Sequence, residues 1–261
     1  AKEHYLLQYL ENRRGVVIVT AIGDVFLFND DTYELMDYSF GDRKGMVFSM
    51  LIVDVPELQQ LFVWTGDLEG RLVLMPCLPT FLPGHCLCRR LNQPVYSMCL
   101  AQACIWTGGS TIIHQLGKGD GSILKAWRAH TLPIMQLCYS PRTEEIWSAS
   151  DDKELRVWKA GTGELVCVHR GHTGKVRQLK TVGDGEVFVS GSADEGDVIF
   201  WDATMGTKVT SIKGEAQEGV DGGGGVSSLL FRDKGEIWGG FSSGRMSVWE
   251  AEYSFGKKGE E

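Results

Sequence analysis

Two segments of this chain carry a histidine, a serine, an aspartate and a tryptophan in the same order and at nearly the same spacing. They are His130, Ser148, Asp152 and Trp158 within AHTLPIMQLCYSPRTEEIWSASDDKELRVW, and His172, Ser190, Asp194 and Trp201 within GHTGKVRQLKTVGDGEVFVSGSADEGDVIFW. Histidine, serine and aspartate are the parts of a nucleophilic triad. A single active site needs such a set once, however, and has no use for a tryptophan beside each copy. A fastening role accounts for both copies. A buried indole N–H requires an acceptor, a serine hydroxyl both gives and takes, and an aspartate in a turn can hold an imidazole ring. The duplicated set therefore reads as structural, and neither catalytic residues nor an enzyme activity is expected.

A second cluster could bind metal. Cys77, His85, Cys86 and Cys88 lie close together, but their C-x8-HC-x-C spacing fits no strong zinc template. Leu87 and Leu91 beside them favour ordinary strand packing. No metal and no cofactor is expected.

The elements that position these residues repeat. VVIVTA (16–21), LFVWTG (61–66), ACIWTG (103–108), EEIWSA (144–149), EVFVSG (186–191) and EIWGG (236–240) align, and their equivalent residues Val19, Trp64, Trp106, Trp147, Val189 and Trp238 are 45, 42, 41, 42 and 49 residues apart. A fixed period near 40 residues means that each unit buries its apolar face only against its neighbours. Each aligned run is followed by a polar turn and an alternating run, the mark of a hairpin. Alternating runs such as IMQLCYS (134–140) and VRQLKTV (176–182) precede the hairpins, and GELVCVH (163–169) and GTKVTSI (206–212) follow them. Four strands per period with almost no helical periodicity describe a propeller blade. The long last interval coincides with the glycine-rich stretch 214–225, which reads as a surface-loop insertion.

On these residues the chain resembles the WD40-repeat β-propeller family. Its fourth and fifth repeats carry the match, and Trp201-Asp202 is the dipeptide that gives the family its name. In the resemblance the two His-Ser-Asp-Trp sets correspond to structural hydrogen-bond tetrads. Ala129 and Lys159 stand where the family pattern has Gly and Asp, and the other repeats complete no such set. The implied fold class is all-β, a WD40-type propeller of six or seven four-stranded antiparallel blades with six repeats visible. One domain is expected over 1–261, with blades near 4–40, 45–91, 94–128, 132–169, 174–212 and 225–258.

Bulk properties narrow the function. Hydrophobic residues at 43% and charged residues at 23% are ordinary for a globular protein. A net charge of −8 argues against an extended nucleic-acid footprint, so no nucleic-acid partner is expected. No apolar run approaches the roughly 20 residues of a membrane span. Seven cysteines without framework spacing point to reducing, cytoplasmic surroundings.

The resemblance implies that residues three and five beyond the tetrad histidine face the mouth of the propeller channel, where partners dock. By register these are Met46 and Phe48, Pro94 and Tyr96, Pro133 and Met135, then Lys175 and Arg177. The first six make an apolar, aromatic crescent, the composition of a protein-binding hot spot. The two cations suggest an acidic or phosphorylated flank on the ligand. The expected function is a non-catalytic interaction scaffold that binds an extended peptide or partner domain, as a module of a larger protein or complex. The alternative is a propeller that binds phosphoinositide or an anionic membrane surface through its basic loops. Asn12-Arg13-Arg14-Gly15 only faintly resembles the FRRG signature of phosphoinositide-binding propellers, because it lacks the phenylalanine and precedes the first repeat's second strand.

Overall fold

A computed structural model describes residues 5–10, 15–39, 46–55, 60–77, 87–182, 185–213, 224–232 and 236–250. The cluster residues His85 and Cys86, the Asn12–Arg14 segment and most of the glycine-rich stretch lie outside these residues.

The expected all-β class is what the structure shows: six antiparallel sheets, each built from strands consecutive in the chain. The first sheet is β1 (Tyr5–Leu10), β2 (Gly15–Thr20), β3 (Val25–Asn29) and β4 (Leu35–Ser39). The second is β5 (Val47–Val55), β6 (Gln60–Asp67), β7 (Arg71–Cys77) and β8 (Leu87–Arg90). The third is β9 (Ser97–Ala101), β10 (Cys104–Gly108), β11 (Ile112–Gly117) and β12 (Ile123–Arg128). The fourth is β13 (Ile134–Ser140), β14 (Glu145–Ser150), β15 (Glu154–Lys159) and β16 (Leu165–Arg170). The fifth is β17 (Val176–Val182), β18 (Val187–Ser192), β19 (Val198–Asp202) and β20 (Thr207–Ile212). In the sixth, β21 (Val226–Arg232), β22 (Glu236–Phe241) and β23 (Met246–Glu250) are the strands found among the described residues.

The chain forms two compact units, 1–137 and 138–261, with the boundary inside β13. In unit one, Val17, Val19 and Val25 of sheet one pack against Val47, Val63 and Met75 of sheet two. The neighbouring residue Trp64 points the other way, into a cluster with Leu72, Leu74, Val95, Ile105 and Leu116. In unit two, Phe188 joins Trp147, Val157, Leu179 and Trp201, while Val187 and Val189 join Phe200, Val226 and Ile237. Successive residues of β6 and β18 thus enter different cores. Strands buried on both faces read as continuous apolar runs rather than as alternation, which is why LFVW and VFV look as they do.

The glycine that ends three of the aligned runs has a steric cause. A Cβ on Gly66 would lie 2.5 Å from a Val95 methyl, one on Gly108 2.8 Å from Ile134, and one on Gly191 2.8 Å from Val226. Each of these glycines makes room for the β-branched residue that starts the next sheet. Those residues, Val95, Ile134 and Val226, are all essentially buried, as are Val47 and Val176 at the same register.

Candidate functional site

Immediately after the buried Val of three sheets, the ladder slips. The pairings of β5 with β6, β17 with β18 and β21 with β22 shift register between Val47 and Ser49, Val176 and Gln178, and Val226 and Ser228. Phe48, Arg177 and Ser227 are therefore bulge residues. A bulge re-aims the side chain of its extra residue and kinks the strand. Tyr96 and Met135 follow Val95 and Ile134 at the same register. Its backbone is also shared: the carbonyls of Met46, Lys175 and Gly225 accept N–H groups from Leu68, Ala193 and Ser242.

In unit one, this arrangement brings Phe48 and Tyr96 edge to face, with ring centroids 6.0 Å apart and planes at 78°. That geometry suits the ring quadrupoles and fixes two aromatic side chains with little rotamer freedom. Met46 beside them is 45% exposed. Pro94 directs its carbonyl at Gly109, where a Cβ would come within 1.8 Å. Pro133 and Met135 are half-buried. All six apolar residues expected at the partner face lie in unit one.

In unit two, the cations are engaged. Arg177 donates through Nε to Asp151 Oδ1 at 2.9 Å and through Nη2 to Oδ2 at 2.8 Å. The backbone N–H of Lys175 donates to Asp194 Oδ2 at 3.1 Å, and its Nζ lies 3.9 Å from Oδ1. Each of the two cations expected on this sheet meets a carboxylate, supplied by the hairpin turns β14–β15 and β18–β19. Asp194 and Asp152 hold like places in successive hairpins, and Asp151 stands one position earlier, where the fifth sheet has Ala193.

The tetrad residues separate by role. Trp201 Nε1 donates to Ser190 Oγ at 2.8 Å, and His172 Nε2 lies 2.7 Å from the same oxygen. Ser190 Oγ is in turn 3.4 Å from the Ile199 carbonyl, its cross-strand partner. The assignment that satisfies most groups has His172 and Trp201 donating and Ser190 passing its proton to Ile199. His172 Nδ1 is buried without a hydrogen-bond partner. Asp194 was expected to hold that ring; its carboxylate instead takes the Lys175 N–H. Burial, with the nearby charge of Lys208, pulls the His172 imidazole down to about 4. In sheet four, Trp158 Nε1 donates to Ser148 Oγ at 2.9 Å, and Ser148 donates to the Arg156 carbonyl at 3.2 Å. Asp152 caps its own turn through the Glu154 N–H. His130, at the other side of the unit boundary, is buried. Ser148 and Ser190 are fully buried and their hydroxyls are committed, so neither is presented as a nucleophile.

Sequence reasoning did not foresee how sheets two and three are held. Asp67, fully buried, accepts from the N–H groups of Glu69 and Arg71 at 3.0 and 2.8 Å and from Arg71 Nε at 2.8 Å. The pairing with Asp67 raises the Arg71 guanidinium above its ordinary value, against the effect of burial. Gln93 clamps both backbone groups of Ile112, with Nε2 to O at 2.6 Å and N to Oε1 at 3.2 Å. Among the described residues no group of three or more metal-ligating side chains assembles, and no helix is long and apolar enough to cross a membrane.

Known proteins place this architecture. The WD domain, G-beta repeat family matches residues 121–159 and 163–202. Each match runs from the last strand of one sheet through the first three of the next, so the sequence repeat stitches neighbouring sheets together. The Denticleless protein homolog of Danio rerio is 26% identical over 100 residues, 38% of this chain and 16% of that protein. Pre-mRNA-processing factor 19 of Bos taurus is 26% identical over 151 residues, 56% of this chain and 28% of that protein. Small ribosomal subunit protein RACK1 of Caenorhabditis elegans is 33% identical over 87 residues, 33% of this chain and 26% of that protein. The chain thus spans under a third of the length of the curated relatives it matches. Two solved structures share the fold over 94% of this chain: the computationally designed Ika8 protein, with TM-score 0.71, 19% identity and 70% of its chain covered, and a chain of the Mitotic Checkpoint Complex, with TM-score 0.75, 18% identity and 73% covered. Residues 121–159 and 163–202 thus match as WD40 repeats, and the six consecutive meander sheets around them are those of a β-propeller.

Proposed function

We propose that this chain is a non-catalytic protein-interaction platform, one propeller domain over 1–261 that serves as a module of a larger protein or assembly. The observation that carries this reading is the half-buried bulge residue Phe48, paired edge to face with Tyr96 and flanked by the exposed Met46. Rigid aromatic anchors with an adaptable methionine are what an extended peptide or a partner's loop buries at the centre of a contact. The name of the RACK1 relative, which sets that protein on a ribosomal subunit, agrees with a role inside an assembly. Cys88, Cys99, Cys104, Cys138 and Cys167 are free thiols, which fits a reducing, intracellular setting.

The lipid alternative is less well supported. An anionic headgroup calls for uncommitted cations at one rim, and Arg177 spends its fork on Asp151.

Peptide-display selection against the wild-type chain tests the reading. Selected peptides should carry an aromatic or aliphatic anchor and should bind a Phe48→Ala/Tyr96→Ala variant at least about tenfold more weakly. Failure to enrich any peptide, or equal affinity for the double variant, would overturn it.

A further inference from the structure

The two cations of unit two are arranged unlike a pair waiting for an anion. The bulge at Val176–Gln178 turns Arg177 toward the β14–β15 hairpin, where Asp151 meets it with both carboxylate oxygens at 2.8–2.9 Å. The Asp151 side chain is only 11% exposed, whereas the Arg177 side chain is 44% exposed, so the carboxylate sits beneath and the guanidinium lies at the surface. Asp194 is fixed beside Lys175 by the backbone N–H that it accepts. Glu195 next to it accepts from the Thr173 hydroxyl. The patch therefore holds three carboxylates against two cations.

A guanidinium edge accommodates one bidentate oxyanion. The Nε–Nη2 edge of Arg177 already holds one, tethered in its own unit. A phosphate or carboxylate from a ligand would have to displace Asp151 from that edge or approach the rest of the guanidinium beside the Asp151, Asp194 and Glu195 carboxylates, and such like-charge juxtaposition is the usual means of rejecting a wrong partner. We propose that Asp151 is a specificity-determining residue: by filling the Arg177 fork it keeps anionic groups off this rim, and the partner segment lying there has a neutral or basic flank. This rests on the reading of β17 as part of the partner face, and it replaces the acidic or phosphorylated flank that the two cations alone suggest.

The test is a titration of the full chain with inorganic phosphate, followed by calorimetry and by the Arg Nε resonances in proton–nitrogen spectra. Asp151→Asn keeps the shape of the side chain and removes its charge. It should bind phosphate at least about tenfold more tightly than the wild type, and Arg177→Ala in the same background should abolish the gain. Equal affinity of wild type and Asp151→Asn, or a gain that survives loss of Arg177, would overturn the proposal. Should Asp151→Asn fail to give a cooperative melt, Asp194→Asn carries the same test through Lys175, with a smaller gain of about threefold expected and no gain overturning it. Phosphate does not depend on the Phe48–Tyr96 anchor, so failure here and failure of the peptide selection are separate results.

Discussion

In sheet five the hairpin β18–β19 is tied down by buried neutral groups: an indole and an imidazole whose nitrogens lie 2.8 and 2.7 Å from one serine hydroxyl. In sheet two the hairpin β6–β7 is tied down by charge, with a fully buried aspartate gathering two backbone N–H groups and an arginine. Both devices fix a tight turn against the strand behind it. They differ in what they demand of their surroundings. The neutral network needs bulk, because Trp201 also packs into the core, tilted against His169 with centroids 5.1 Å apart. The ionic turn needs only local geometry, since its members lie within four residues of one another. A propeller repeat can therefore lose the family's tetrad and keep its fold, provided the turn finds another acceptor for its backbone donors.

Removing the anchors should expose that difference most strongly. Trp201→Ala deletes a buried side chain of the core cluster as well as a hydrogen bond, and should cost about 3–5 kcal/mol in urea unfolding. Trp158→Ala should behave alike. Asp67→Asn leaves the packing untouched and weakens three hydrogen bonds, two from turn N–H groups and one from the charged Arg71, for a loss of about 2 kcal/mol. If the two substitutions cost the same, the distinction between a packed and a local fastening fails.

Much of this was legible in advance. The period, the four strands and the position of the aligned runs follow from residue type, because a strand buried on both faces has no choice but to be apolar at every position, as in Trp64 beside Val63. Ser190 and Trp201 were identified from their repeat positions, and they do meet. The partners of Asp194 and Arg177 were not legible. Which donor a turn aspartate takes depends on a one-residue bulge, and a bulge leaves almost no trace in hydropathy: Val176-Arg177-Gln178 reads as plain alternation. The Asp67–Arg71 pair was missed for a different reason. A charged residue in a hairpin turn looks like solvent-facing polarity until the structure shows it fully buried.

Protonation separates the two devices again. The His172 imidazole titrates near 4 in the folded chain, well below the 6.5 of an unperturbed histidine. Between those values the unfolded chain binds the extra proton, so this histidine's contribution to stability is full above about pH 6.5 and is lost as pH falls through the folded value. The loss should reach roughly 3 kcal/mol near pH 4. His114 and His169 are lowered by burial in the same direction, so the comparison must be made against His172→Gln, which retains both. Subtracting its stability profile from that of the wild type should leave a curve that rises from pH 4 to pH 6.5. Parallel profiles would mean that His172 does not carry the network's acid sensitivity.

The smallest effect lies in the hairpins themselves. The turns of sheets two and five place glycine at positive φ, with Gly70 at 77° and Gly196 at 72°, but the matching turn of sheet four places Lys153 there, at 73°. A side chain in the left-handed region costs about 1 kcal/mol. Part of that is returned when glycine replaces lysine, because glycine also gives the unfolded chain more freedom to lose. Lys153→Gly should therefore raise stability by about 0.5 kcal/mol, whereas Gly196→Lys should lower it by more, since Thr173 and Glu195 already form a hydrogen bond beside that turn. A destabilised Lys153→Gly would show that the lysine makes a contact worth more than the strain of its backbone, and that the fourth sheet, like the second, has found its own way to hold a turn.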